Sequence, residues 1–333
     1  MKVYITIDIE AHRSIQEIQG AGQDSLGTLL TVLRETACRA TCFVDVCEVS
    51  RWGFDFMKAT CLRIAADGHR VELHVHPHHT TGDNGRWLLS EYTCEEQIGI
   101  LTKAVADFQE LTGRKPLAFR AGGFGANEDT LTILRNLGIE VDSSFLWRRP
   151  GCHLRPQNKA EASEYLGLIE IPLTPVVLMG TKSISRRVSS LDFNWIPLFA
   201  LKRLYIELER SGSKTAVFLL HSSTMYVRTG KKRYWYRRRN ERKLRALIQF
   251  LQDRQAQFHV MGSRDLADVS GNAMEFTPEP VVLNGLLIQY VVLLYQAAVG
   301  AGISKKLFGF LIANILGFLA AIILMLCLIV RCF

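Results

Sequence analysis

Four imidazoles fall within six residues, His74, His76, His78 and His79, where an apolar run of strand character meets Pro77. Neutral imidazole is the commonest protein ligand for zinc and its neighbours, so the cluster reads as half of a metal site. A second run, Val3-Tyr4-Ile5-Thr6-Ile7-Asp8-Ile9-Glu10, ends in two carboxylates that share one face of an extended strand and can supply the other half. Among the imidazoles two pairings are open. His74 and His76 share a strand face, whereas His74 and His78 converge only if the backbone turns at Pro77, and spacing alone does not choose between them. Arg120 stands beside Gly122, Gly123, Phe124 and Gly125, where the backbone approaches something closely, and His221 closes a very apolar run.

These residues sit at the ends of short β-rich runs that alternate with helical patterns. Strands are expected at 3–7, 40–46, 71–75, 118–120, 141–143, 169–172, 216–221 and 258–261. Helices are expected at 25–36, 54–67, 93–112, 128–137, 196–211 and 241–255, with Asn127 capping one start and Gly138 following its end. Such alternation predicts a parallel sheet with crossover helices, and carboxyl-terminal strand ends are where α/β barrels place their chemistry.

The chain has 333 residues, of which 48% are hydrophobic, enough to fill a substantial core. Much of its net charge of +8 is concentrated at 228–245, a patch suited to phosphate-bearing partners. Tyr234, Trp235 and Tyr236 lie within it, so nucleic-acid binding is a rival use, but no nucleic-acid motif accompanies the patch and a membrane interface suits it better. Eight cysteines show no paired CxxC spacing, consistent with a reducing compartment. Residues 307–330 are 24 in number with only Asn314 polar, which predicts a transmembrane helix. Residues 281–303 are apolar but carry Asn284, Gln289 and Gln296, and read as a second span or an interfacial helix. With no cleavable signal before the first strand and Lys305 and Lys306 between the two segments, the expectation is a cell-membrane protein anchored at its C-terminal side with the large domain cytoplasmic.

The ordered motifs resemble those of the NodB-homology polysaccharide deacetylases, the family four carbohydrate esterases. The match runs through Thr6-Ile7-Asp8-Ile9-Glu10, His74 to His78, Phe119-Arg120-Ala121-Gly122-Gly123-Phe124, Asp142-Ser143-Ser144 and Leu219-Leu220-His221. The resemblance implies a deformed (β/α) barrel of seven or eight strands over 1–268, followed by a linker at 269–280 and the apolar segments. It implies a divalent ion, zinc first and cobalt or manganese as alternatives, held by Glu10, His74 and His78. Asp8 would be the general base, His221 the general acid and Arg120 their orienting partner, with Gly122, Gly123, Phe124 and Asp142 binding substrate. Where the family has consecutive aspartates this chain has Asp8 and Glu10 separated by Ile9, so the two acidic roles are exchangeable.

The implied reaction is removal of an N-acyl group, acetyl or formyl, from an aminosugar in a polysaccharide or a lipid-linked glycan. A subset of the family acts on polyprenyl-phosphate-linked aminosugars and shares the Asp-x-acid motif, which adds membrane lipids to the expected partners. The alternative is a non-catalytic, membrane-anchored glycan or glycolipid binder on the same fold.

Overall fold

The computed structural model describes residues 1–11, 24–180, 185–229, 233–236, 238–262, 281–283 and 285–300. The predicted linker at 269–280 and the predicted span at 307–330 lie outside them. Among the described residues no helix is long and apolar enough to cross a membrane.

The first strand, β1 (Lys2–Ile9), is rich in β-branched and aromatic residues and buried along almost its whole length. It forms the middle of the sheet. β10 (Thr215–His221) lies on one side in parallel register, and β2 (Thr41–Asp45) on the other, with β13 (Gln257–His259) beside the start of β1. Outward from β2 run β3 (Arg70–Val75), β4 (Ala118–Ala121) and β5 (Val141–Asp142), all parallel, then the hairpin of β7 (Leu168–Glu170) and β6 (Ser163–Tyr165). Outward from β10 lies β9 (Ser185–Asp192), antiparallel to β8 (Pro175–Gly180), and β14 (Val281–Val282) follows at the far edge, while β11 (Tyr226–Thr229) and β12 (Arg233–Tyr236) form a separate antiparallel pair.

The sheet therefore differs from the expected barrel. Its hydrogen-bonded path runs from β14 to β6 without closing among the described residues. The physical reason is the two hairpins: β6–β7 and β8–β9 replace βα repeats with antiparallel turns, so parallel crossover geometry no longer carries the edges round to meet. Three strands missing from the sequence expectation, β6, β8 and β9, belong to these hairpins.

Helices pack outside the curl: α1 (Ser25–Glu35), the short α2 (Val49–Trp52), α3 (Phe54–Ala66), α4 (Pro77–Thr81), α5 (Cys94–Thr112), α6 (Glu128–Asn136), α7 (Leu198–Arg210) and α8 (Arg238–Asp253). Their ends carry chemical stops. Thr93 and Glu96 form a capping box at the start of α5, which finishes at Gly113 in left-handed conformation. Asn127 caps α6 as expected, accepting from the Thr130 backbone N–H at 3.0 Å.

A last helix, α9 (Leu286–Gly300), occupies part of the predicted 281–303 segment. It packs against β8, with Val292 and Tyr295 buried and Gln289 Nε2 donating to the Leu283 carbonyl at 2.7 Å. Together with β14 it draws residues beyond 268 into the folded unit. Part of the basic patch is structural as well. Buried Lys243 donates to the carbonyls of Phe193 and Ile196, and Arg245 pairs with Glu35 and Glu241.

Candidate metal and hydrolase site

The sheet has two faces, and register assigns each functional residue to one of them. On the concave face Tyr4, Phe43, Ala118, Val141, Ile169, Ile171, Val217 and Met261 form an apolar plug. One pleat further toward the carboxyl ends the same face turns polar. Asp8 lies opposite His221 across β1 and β10, Asp45 opposite His74 across β2 and β3, and His74 opposite Arg120 across β3 and β4. Apolar residues thus floor the site and exclude water from beneath it.

Arg120 organises this row. It is wholly buried, with its guanidinium 4.2 Å from the Phe43 ring centroid. Nε donates to the Ser143 carbonyl at 3.1 Å, Nη2 to Ser143 Oγ at 3.1 Å, and Nη1 to Thr6 Oγ1 at 3.0 Å and Asp8 Oδ1 at 2.8 Å. Burial alone would raise the Asp8 pKa. The charges of Arg120, His74 and His221, with the Arg120 hydrogen bond, outweigh it and hold the carboxyl below its ordinary value. Asp8 is an ionised proton acceptor at neutral pH.

Glu10 stands apart from that pair. Ser222 Oγ fastens its backbone at both ends, accepting from Glu10 N at 3.1 Å and donating to Glu10 O at 3.0 Å. Its side chain meets His76, with Oε1 3.1 Å from Nε2. Ligand atoms of Glu10, His74 and His76 lie within 4.8 Å of one another. His74 is presented for coordination by its tautomer: Nδ1 lies 2.7 Å from the Arg120 carbonyl, which only accepts, so Nδ1 carries the proton and Nε2 a lone pair. Burial lowers the His74 pKa despite the opposing charge of Asp8. This donor set fits a divalent cation of the zinc type.

His78 has a different setting because the backbone turns at Pro77. His76 is still extended, whereas Pro77 opens the single-turn helix α4, which Gly82 ends in left-handed conformation. His78 thereby leaves the strand face. Its ring is 5.6 Å from that of His76, 4.0 Å from His79 and 4.5 Å from the half-exposed Trp87. The turn is held from below by Asp45, whose Oδ1 accepts from the His76 backbone N–H at 3.2 Å while Oδ2 lies 2.8 Å from His79 Nδ1.

The glycines and Asp142 serve geometry. A Cβ on Gly122 would lie 2.5 Å from His76 Nδ1, so glycine there admits the ring. Gly123 takes φ +59 and Phe124 φ +65, and Phe124 joins Leu146, Leu173 and Leu219 in an apolar cluster. Asp142 lies opposite Phe119, on the convex face, and there accepts from Ser144 Oγ at 2.7 Å beside Glu170. The structure therefore brings Asp8, Glu10, His74, Arg120 and His221 to one face and leaves Asp142 on the other.

Three residues absent from the sequence reading belong to this neighbourhood: Asp45, Trp87 and Asp192. Asp192 pairs in register with Leu219, two residues before His221, and burial raises its pKa while the nearby His221 partly offsets the rise. Asp45 and Asp192 carry one sequence signal, an acidic residue at the end of a strand.

Residues 2–141 match the family model for polysaccharide deacetylase. The matched part contains Asp8, Glu10, the four imidazoles and Arg120, and ends before Asp142 and His221. Among solved structures the chain is similar to a candidate polysaccharide deacetylase from Mycobacterium smegmatis, with 17% identity and a TM-score of 0.53 over 82% of this chain and 91% of that one. It is also similar to a family 4 carbohydrate esterase from Streptomyces lividans in complex with acetate, at 14% identity and a TM-score of 0.42 over 77% of this chain and 91% of that one. The first likeness shows a shared fold, a curled, incompletely closed α/β sheet. No curated protein matches the sequence significantly.

Proposed function

We propose that the protein is a metal-dependent hydrolase that removes an N-acyl group from an aminosugar unit of a glycan. The observation that carries this is the segregation of the two acids: Glu10 groups with His74 and His76 as a donor set, while Asp8 is paired with buried Arg120. That division supports Glu10 as a metal ligand and Asp8 as the general base. Glu10, His74 and His76 would hold the cation, with His78 next along the turn. When bound, the cation supplies Lewis acidity to an acyl carbonyl and lowers the pKa of water.

The rest of the chemistry belongs to the side chains. Arg120 keeps the Asp8 carboxylate ionised and aimed, and that carboxylate takes a proton from the attacking water. His221, across from Asp8, has a buried Nδ1 with no hydrogen-bond partner among the described residues, and its imidazole gives a proton to the departing nitrogen. Water adds to the carbonyl, the C–N bond breaks, and a carboxylic acid and a free amine leave. Trp87 at the rim offers a ring for a sugar to stack on. The apolar character of 307–330 supports a lipid-linked form of the substrate at a membrane surface.

Protein stripped of metal and reloaded with zinc, cobalt or manganese should regain N-deacylase activity on acylated aminosugars, and Asp8→Asn should lose about 10²–10⁴-fold. An Asp8→Asn variant as active as the parent would overturn the mechanism. Absence of stoichiometric metal together with tight glycolipid binding would instead identify a non-catalytic binder.

A further inference from the structure

Beside this site lies a second concavity with different chemistry. A cavity of about 440 Å³ is formed by residues 145–159, within the ~300–1,000 Å³ typical of small-molecule pockets. Its lining includes Trp147, Arg148, Arg149, Arg155 and Lys159, and no acidic residue. We propose that this cavity is a phosphate-binding subsite that takes the phosphoryl group of an aminosugar phosphate, a substrate class that rests on the deacylase reading above.

Charge is the first argument. Several arginines elsewhere on the surface are matched by acids, as in Arg34 with Asp67, Arg63 with Asp24, Arg86 with Asp83 and Glu96, and Arg254 with Glu209, while Arg39 and Arg135 bond singly to carbonyls. Around the cavity Arg149, Arg155 and Lys159 form no ion pair among the described residues. Arg149 Nε donates to the Gly123 carbonyl at 3.4 Å, Arg155 Nη1 to the carbonyls of Leu154 at 2.7 Å and Cys152 at 3.4 Å, and Lys159 Nζ lies 5.8 Å from the Trp147 ring centroid. All three are exposed to solvent, which screens but does not abolish the repulsion among cations gathered without an anion. A phosphate dianion relieves that repulsion, and guanidinium forks match its oxygens with charge-assisted hydrogen bonds.

Construction is the second. The loop is fixed in a conformation that a chain does not adopt idly: Arg148 has φ +58 and Gly151 φ +87. Ser90 Oγ donates to the Gly151 carbonyl at 2.8 Å, the His153 N–H to the Ala126 carbonyl at 2.8 Å, and the Arg155 N–H to Tyr165 Oη at 3.0 Å. These ties hold the loop that carries Arg149 and Arg155 against the domain.

Placement is the third. The Arg149 guanidinium lies 5.9 Å from the Phe124 ring centroid, and Phe124 packs with Leu146, Leu173 and Leu219. Leu219 shares its face of β10 with His221. The cavity and the hydrolytic row are thus two sides of one apolar wall, as suits a ligand with a phosphate at one end and an acylated nitrogen at the other.

Calorimetric titration of the full chain with N-acetylglucosamine 1-phosphate, N-acetylglucosamine and inorganic phosphate tests this, with the Arg149→Gln/Arg155→Gln variant alongside. The phosphorylated sugar should bind at least about tenfold more tightly than the neutral one, and the double variant should lose that advantage while its melting temperature stays near that of the parent. Phosphatidylcholine vesicles with and without polyprenyl phosphate separate the sources: retention only on the phosphate-bearing vesicles assigns the cavity to a lipid-linked phosphate, and calorimetric binding without retention to a soluble one. Equal affinity for both sugars, or a double variant that binds the phosphate as the parent does, would overturn the proposal. Phosphate binding through Arg149 and Arg155 in a protein that hydrolyses no acylated sugar would keep the subsite and refute the deacylase. Hydrolysis of both sugars with the phosphate making no difference to binding would do the reverse.

Discussion

The Arg120 guanidinium stands 2.8 Å from Asp8 Oδ1 with both side chains buried, joining the end of β4 to the end of β1 across two intervening strands. Each charge makes the other tolerable. A lone carboxylate at this depth would be driven to protonate, and a lone guanidinium could not.

Removing one partner should therefore cost far more than removing both. Arg120→Met is expected to destabilise the fold by about 3–5 kcal/mol, because Asp8 must then either stay as an uncompensated buried charge or take up a proton against its ordinary acidity. Urea unfolding of Arg120→Met, Asp8→Asn and the double variant measures it. The double variant should recover part of the Arg120→Met loss, and strictly additive losses would show that the pair is not coupled.

The two histidine pairings make opposite forecasts for metal content. With Glu10, His74 and His76 as ligands, His76→Ala should weaken metal binding by at least about tenfold, whereas His78→Ala should leave the stoichiometry intact. Elemental analysis after dialysis against a metal buffer reads this directly. Loss in His78→Ala with retention in His76→Ala would establish the 74 and 78 pairing instead.

Gly122→Ala is the smallest change that reaches the site. Its Cβ would lie 2.5 Å from His76 Nδ1 and displace the ring from Glu10. Metal affinity should fall with only a modest change in unfolding free energy. Unaltered affinity would show that the ring gives way without consequence.

On the convex face Asp142 and Glu170 form a buried pair of carboxyl groups. Burial raises both pKa values, and the Asp142 charge raises that of Glu170 further, while hydrogen bonds with Glu170 and Ser144, and then the Arg120 charge, partly offset the rise of Asp142. Cys152 also faces Glu170 and raises its pKa. Because the folded values lie above the unfolded ones, the pair's stabilising contribution is full at pH below the unfolded values and is lost as pH rises through the folded ones. Thermal unfolding followed across a pH series should show the parent declining toward alkaline pH more steeply than Glu170→Gln. Parallel slopes would mean that the pair does not hold a proton.

Much of this site is legible in the sequence because strand ends announce themselves. Asp8, Arg120 and His221 each end an apolar run, and the helices between carry capping signals as plain as Asn127 and Thr93. What the sequence does not disclose is direction. Alternation places His74 and His76 on one face, but only the turn at Pro77 and the Asp45 contact beneath it carry His78 onto a separate helical turn. Asp142 ends a strand as Asp8 does, yet register sends it to the convex side. The hairpin strand β9 is hidden because a polar, basic run such as Ser185-Arg186-Arg187 lacks a strand's apolar period, and with it goes Asp192.

The central position of β1 also governs how the molecule comes into being. Its partner β10 lies more than 200 residues further along the chain, and Ser222, which fastens Glu10, is separated from it by 212. On a ribosome, β2 can pair with β1, and β3 and β4 can extend the sheet beyond β2, well before β10 is made, so a nascent chain passes through a stage in which the β10 side of β1 is bare and Asp8 has no facing imidazole from β10. Hydrolytic competence is thus a late product of synthesis, and a chain interrupted before residue 221 would retain Glu10 and the imidazoles at 74–79 but lack the proposed proton donor.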